Sequence, residues 1–216
     1  MFSKNNLKYL FVLAIGFFWC GSVYLTQEQY LANYASVEFV NIVELLFGSI
    51  SMALGILIFG LLYHKNKNVR NTYIVFMALA LVSMISFFAT KNIYFMSVCL
   101  CLTCLFGTAG FGAGYHFSLL GSNVEKEYRG RVFAIGYGLG SIGTYLMILF
   151  PESFYSSIKT LIIYVPMLLL NLYLVINKTN LIQVKEEKQT SSFRNYFIRI
   201  SIIVLAMSLL SALSTD

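Results

Sequence analysis

Residues 72–89 read TYIVFMALALVSMISFFA, eighteen positions without a charge. A helix needs about 20 predominantly apolar residues to cross a hydrocarbon core of roughly 30 Å, and this stretch is almost that long. Outward from it, six more of the same kind follow: residues 10–25, 37–63, 93–120, 132–150, 161–176 and 196–213. The whole chain is 58% hydrophobic and 11% charged, against roughly a quarter charged in an average soluble domain. Inside lipid every backbone N–H and C=O needs a partner within the protein, so these stretches are predicted as helices. The alternating polarity of a membrane β-barrel is absent. The predicted fold class is therefore all-α: a polytopic membrane protein built as a six-helix transmembrane bundle with a seventh helix after it.

Charge placement predicts the orientation. Lys4 and Lys8 precede the first span; Lys65, Lys67 and Arg70 fall between the second and third; Lys126, Arg129 and Arg131 between the fourth and fifth; Lys178, Lys185, Lys188 and Arg194 between the sixth and seventh, with Arg199 opening the seventh. Thirteen basic residues thus share one side, and Lys91 and Lys159 occupy the other. Short cytoplasmic loops carry the Lys/Arg excess, so the N-terminus is expected in the cytoplasm. Reporters fused after Lys67 and Lys126 should read as cytoplasmic and those after Tyr34 and Ser156 as external; a cytoplasmic signal at Tyr34 would overturn the helix count. The expected location is the plasma membrane, here the cytoplasmic membrane of a bacterium. The net charge of +6 reads as loops facing anionic lipid rather than as a nucleic-acid site. A cleaved signal peptide is the competing reading of residues 1–30, but the apolar run carries Phe17, Phe18 and Trp19 and no A-x-A site follows, so the first span is expected to stay.

The chain divides into a transmembrane bundle over 1–177, a charged cytoplasmic linker over 178–195, and a seventh helix over 196–216 that opens an incomplete second half. The linker is polar throughout, from Lys185-Glu186-Glu187-Lys188 to Gln189-Thr190-Ser191-Ser192, a composition that suits a flexible connection. Cys99, Cys101 and Cys104 mimic a metal spacing, but in an apolar helix a thiolate is poorly solvated, and they read as small packing residues. No metal and no cofactor are expected.

Glycine is more telling. Gly107, Gly110 and Gly114 share one stripe of the fourth span, and Gly136, Gly140 and Gly143 one stripe of the fifth. Each stripe contains a G-x-x-x-G, the pattern that lets helix backbones approach closely in lipid, against each other or against other helices. Gly138, Gly140 and Gly143 also satisfy G-x-G-x-x-G, the dinucleotide fingerprint, but neither a preceding strand nor an acidic residue about 20 positions on accompanies them.

Taken together, six helices, a basic loop between the second and third, a Gly-rich fourth helix, the run Glu127-Tyr128-Arg129-Gly130-Arg131 leading into a Gly-rich fifth, and a long charged linker resemble the N-terminal half of a major facilitator superfamily transporter. The resemblance runs from Met1 to about Asn195. In that family the loop between helices 2 and 3 usually reads G-x-x-x-D-R-x-G-R; Gly60 and Lys65 match its first Gly and its basic residue, His64 stands at the Asp, and Lys67-Asn68 replace Gly-Arg. The Gly-Pro of the helix 5 antiporter motif is missing. The resemblance implies a solute site between two six-helix halves, so that one half alone offers half a cavity wall, and it suggests a gating role for Arg129 or Arg131, which with Lys65 and Arg70 belong to the cytoplasmic loops.

Polar groups inside a membrane are functional candidates by default. Glu44 reads as the one carboxylate within a span, and Asn41, Glu44, Gly48, Ser51 and Gly55 as one stripe of the second helix, the geometry of a lumen-facing surface. Glu44 would carry the coupling proton; the competing reading is a carboxylate near enough to the helix end to reach the interface. His116, Tyr115, Trp19, Tyr24, Gln27 and Asn171 are candidates for lining the solute and proton pathway, with an interfacial His116 and interfacial aromatic anchors as the alternatives.

The leading functional reading is transport of a small solute as part of a proton-coupled secondary transporter. Its partners would be the lipid bilayer, the solute, and a second six-helix half or a second copy of the chain; no nucleic acid is expected. The alternative is a non-transporting membrane module, such as the sensor half of a regulator or a truncated remnant. Enzymatic activity is not expected: no G-x-S-G accompanies a helical His, as a rhomboid-like protease needs. The seventh helix also lacks the lysine of a retinal protein.

Overall fold

A computed structural model describes residues 4–65, 69–107, 120, 124–147, 149–155 and 157–178, with positions 198, 199, 202 and 206. Among the described residues the regular structure is entirely helical. Helix α1 covers Lys4–Ala32, α2 Val37–Ile42, α3 Ser49–Lys65, α4 Val69–Ala89, α5 Ile93–Thr103, α6 Lys126–Met147, α7 Glu152–Tyr155 and α8 Leu161–Lys178. A π-helical turn, Val43–Gly48, joins α2 to α3, and a 3₁₀ turn, Ile158–Thr160, leads into α8. Among the described residues three helices are long and apolar enough to cross a membrane, Leu7–Ala32, Asn71–Ala89 and Ile158–Asn177, while Ile50–Phe59 and Ile93–Gly107 are shorter apolar helices. The linker over 178–195 and the seventh helix over 196–216 lie outside the described residues, apart from Lys178 and the four isolated positions.

Two boundaries differ from the sequence reading. The first span, expected to end at Leu25, runs on as helix to Ala32. Thr26, Gln27 and Glu28 look like an interface in sequence, yet the helix continues, with the Thr26 hydroxyl paired to Tyr164 and the Gln27 amide N–H given to Thr103. The second span, expected as one regular helix, holds the π turn at Val43–Gly48, a wide i→i+5 turn that occurs mostly as a single bulge inside α-helices.

Helix α1 is the hub. It packs along its length against α6 and α8, and also meets α5 and α2. From residue 7 to 32 only Leu7, Phe11 and Ala32 are exposed. No apolar stripe against a polar one marks this helix, the pattern of a helix apolar enough to cross a membrane, where residue size and polarity decide which face turns inward.

The α1–α6 contact is built on the predicted glycine stripe. A Cβ on Gly136 would stand 2.8 Å from the Leu13 Cβ, one on Gly140 2.6 Å from the Phe17 Cβ and 2.9 Å from the Ala14 O and Phe18 N, and one on Gly143 2.5 Å from the Phe18 ring. On α1 itself, Gly21 faces Thr144 in the same way. The partner of this stripe is thus α1. Phe17 closes the seam, edge-on to Phe133 and Tyr137 with ring centroids 5.6 and 5.1 Å away.

Short connections fix the remaining order. Asn92 caps α5, its side chain accepting from the Tyr94 and Phe95 N–H at 3.1 Å each, and so turns α4 back into α5 over three residues. Ser36 caps α2 by accepting from the Phe39 N–H at 3.3 Å. Edge-on contacts of Phe59 and Phe106 with Phe76, at 5.3 and 5.4 Å, tie α3 and the end of the Ile93–Gly107 helix to α4.

Candidate functional site

The second half of α1 carries a run of polar side chains that the surrounding helices bury. Ser22, Thr26 and Gln27 are fully or almost fully buried. At 100° per residue Ser22 and Thr26 share one side, which meets Tyr164 of α8. The Tyr164 hydroxyl donates to the Ser22 carbonyl at 3.0 Å and pairs with the Thr26 hydroxyl at 2.5 Å. One turn earlier on the same side the Trp19 indole N–H donates to the Tyr164 carbonyl at 3.0 Å. Both ends of Tyr164, main chain and phenol, are therefore pinned to α1, one turn after the 3₁₀ entry and two residues before Pro166, the proline inside α8.

Another side of α1 meets the end of the α5 helix. The Gln27 amide N–H donates to the Thr103 hydroxyl at 3.3 Å, and Thr103 in turn donates to the Cys99 carbonyl at 2.9 Å. Cys20 donates to the Gly107 carbonyl at 3.6 Å. Between these two sides Tyr24 and Glu28, four residues apart, face the π turn. Gly48 lies beneath Tyr24, where a Cβ would come 3.3 Å from the phenol oxygen, and the Tyr24 hydroxyl hydrogen-bonds Glu44. The Glu28 carboxylate is within electrostatic reach of Glu44. Tyr24, Glu28 and Glu44 are all half-buried, and among the described residues no lysine or arginine acts on Tyr24 or Glu28.

Glu44 is therefore not the one carboxylate within a span. Glu28 lies inside the candidate span Leu7–Ala32, and hydropathy misses it because the apolar run ends three residues before it. Its four-residue spacing from Tyr24 is the available signal. Glu38 also lies in the stretch read as the second span, exposed in the first turn of α2, where a negative charge suits the helix N-terminus.

Of the other expected pathway residues, Asn41 is exposed and stands one turn before Glu44. Gly48, Ser51 and Gly55, from the same predicted stripe, are buried, with Ser51 hydrogen-bonded to Cys101, so the stripe packs against α1 and α5 over its inner part. Trp19 is fully buried under Gly107, whose Cβ would stand 2.6 Å from the indole ring. Asn171 is buried as a three-helix tie: it accepts from the Tyr73 hydroxyl at 2.5 Å and donates to the Val12 carbonyl at 2.9 Å, joining α8 to α4 and α1. Both are core residues rather than wall residues. His116, Tyr115, Gly110 and Gly114 lie outside the described residues.

In the loops, Arg129 Nε donates to the Val124 carbonyl at 2.7 Å and so fastens the start of α6 to the segment before it, while Arg131 is exposed. Lys65 ends α3 and Arg70 stands in the first turn of α4; their side chains lie outside the described residues. Among the described residues no three His, Cys, Asp or Glu side chains gather closely enough to hold a metal ion.

Chemically, two carboxylates and a phenol at a helix junction, with no basic partner among the described residues, can hold one positive charge. Like charges taken out of water repel strongly enough that the unpaired state is costly. Compared with protein-family models, curated proteins and solved structures, the chain matches none.

Proposed function

We propose that the chain moves a small solute across the membrane as the N-terminal half of a proton-coupled secondary transporter of the major facilitator kind, with Glu44 in the proton path. The supporting observation is the Tyr24–Glu44 contact at the π turn, a carboxylate drawn against the hub helix of a predominantly apolar helical chain. Polar groups at such depth are retained at a cost of several kcal/mol and mark ion or substrate routes by default. In this architecture the substrate sits near the midplane between two bundles, and one bundle rocks against the other around it. The six predicted helices form one such bundle, the seventh opens the next, and the N-terminus is cytoplasmic.

Liposomes loaded with a pH-sensitive dye test this whatever the solute is. A panel of amino acids, sugars and organic cations is added under an imposed pH gradient, and proton influx that depends on one of them identifies the substrate. Flux is expected from preparations containing a dimer or a joined second half, and none from monomer. Glu44→Gln should abolish proton-driven accumulation while leaving solute exchange in part. Accumulation that keeps its pH dependence in Glu44→Gln would return Glu44 to an interfacial role, and saturable uptake by monomer would refute the half-unit reading.

A further inference from the structure

We infer that the surface is shaped to a phospholipid bilayer whose midplane passes through Trp19 of α1 and Ile142 of α6, with a basic level at Lys8 and Arg131 for the headgroups of one leaflet and an aromatic level at Tyr30 for those of the other. This goes beyond the transport reading and does not rest on it.

Contacts between helices fix the heights. α1 and α6 run side by side in the same sense, because Leu13 meets Gly136, Phe17 meets Gly140 and Gly21 meets Thr144, in equal steps of four. The same offset sets Lys8 level with Arg131 and Trp19 level with Ile142. Gly107 lies against both Trp19 and Ala80, which brings the Ile93–Gly107 helix and α4 to that height as well.

Eleven residues before Trp19, Lys8 holds its ammonium 4.9 Å from the centre of the Tyr9 ring, and Arg131 at the same level is exposed. The nearby carboxylates Glu125 and Glu127 stand one to two turns farther out. Eleven residues after Trp19, Tyr30 opens the aromatic level. Its ring meets Phe87 and Phe88 at the end of α4, with centroids 5.8 and 5.0 Å away, and its hydroxyl accepts from the Tyr34 hydroxyl at 3.3 Å. Exposed Tyr94, at the start of α5, stands edge-on to Phe39 of α2 at 5.9 Å. Phe150 and Phe154, their rings 5.5 Å apart, follow the end of α6.

The two levels are 22 residues apart on one helix, about 33 Å at 1.5 Å each, against a hydrocarbon core of about 30 Å. Between them the exposed side chains of α4, Val75, Ala78, Leu79, Val82 and Ile85, carry no polar atom, which suits acyl chains. Basic groups suit anionic phosphate headgroups, and amphipathic rings settle at the boundary of lipid and water. Seated this way, α6 is off-centre. Its own midpoint lies at Gly136 and Tyr137, whereas the midplane crosses it at Ile142, so its first residues, Lys126–Gly130, stand in the headgroup layer.

Nitroxide labels read this seat directly. Single cysteines replacing Leu79, Tyr137, Ile142 or Arg131 are labelled in the full chain, which is reconstituted in vesicles of phosphatidylcholine and phosphatidylglycerol. Depth is taken from the ratio of oxygen to nickel-chelate accessibility. Wild type, whose own cysteines are buried or half-buried, serves as the blank. Leu79→Cys and Ile142→Cys are expected to be equally deep, Tyr137→Cys about 7 Å shallower at 1.5 Å per residue, and Arg131→Cys at the headgroups. A label at Tyr137 as deep as the one at Ile142, or deeper, would overturn the off-centre seat, and equal depth at all four positions would remove the bilayer as the partner of this surface. Unchanged Trp19 emission establishes that each variant is folded. Gly138→Cys, where an added Cβ meets nothing within 4 Å, replaces Tyr137→Cys if that variant is not.

Discussion

Gly140→Ala, a single methyl group, is expected to unfold or loosen the bundle. The new Cβ would stand 2.6 Å from the Phe17 Cβ and 2.9 Å from two backbone atoms of α1, the Ala14 oxygen and the Phe18 nitrogen. A side chain can swing away, but backbone inside a continuous helix cannot. Overpacking of this kind typically costs about 1–3 kcal/mol, and the upper end applies where backbone blocks relief. Gly138 provides the control on the same helix: a Cβ there meets nothing within 4 Å. Gly138→Ala should therefore be neutral or gain up to about 1 kcal/mol from helix propensity. Thermal unfolding in detergent, followed by the fraction that remains monodisperse, should separate the two variants by several degrees. Equal tolerance of both would remove α1 as the partner of this stripe.

Trp19 and Gly107 form a matched pair with an even larger expected effect. Trp19→Ala empties a fully buried site and removes the indole hydrogen bond to Tyr164, a change in the range of about 3–5 kcal/mol. Gly107→Leu forces a side chain into the indole ring, which lies 2.6 Å from where its Cβ would be, and should also fail alone. Combined, the leucine enters the space the indole leaves, and the double variant should be more stable than the sum of the two losses by about 1–3 kcal/mol, as contacting positions allow. Strict additivity in a double-mutant cycle would show that the two residues do not touch.

These two cases also mark how far the amino-acid sequence alone can reach. That Gly136, Gly140 and Gly143 form a packing stripe is legible, because small residues at i, i+4 and i+7 have one strong physical meaning in lipid. Which helix receives them is not, since Leu13, Ala14, Phe17 and Phe18 carry no complementary pattern that period alone can detect. The end of the first span is misplaced by hydropathy for a related reason. Thr26, Gln27 and Glu28 are polar, hydropathy treats polarity as an exit from the membrane, and the partners that take up Thr26 and Gln27, Tyr164 and Thr103, are not visible to it. Asn171 and Trp19 stand out in the sequence as unusual, yet their roles depend on distant partners, Tyr73 with Val12 and Tyr164 with Gly107. Glu44 is legible as a polar group at depth; its contact with Tyr24 depends on the π turn. Residues 43–48, Val-Glu-Leu-Leu-Phe-Gly, hold no signature that distinguishes i→i+5 from i→i+4 bonding.

That turn has a consequence for how the chain tolerates changes of length. A π turn is the form an extra residue takes when a helix absorbs it without making a loop. Deleting one residue within Val43–Gly48 would restore ordinary winding there and leave Val37–Ile42, with exposed Asn41, facing as before. Gly48 would stay seated beneath Tyr24, since everything after the turn keeps its facing. The same deletion inside α3, between Ser51 and Gly55, has no slack to draw on and would turn one of these two buried residues about 100° out of register with the other. Tolerance of a missing residue should thus fall abruptly along one continuous rod, with the break at Gly48.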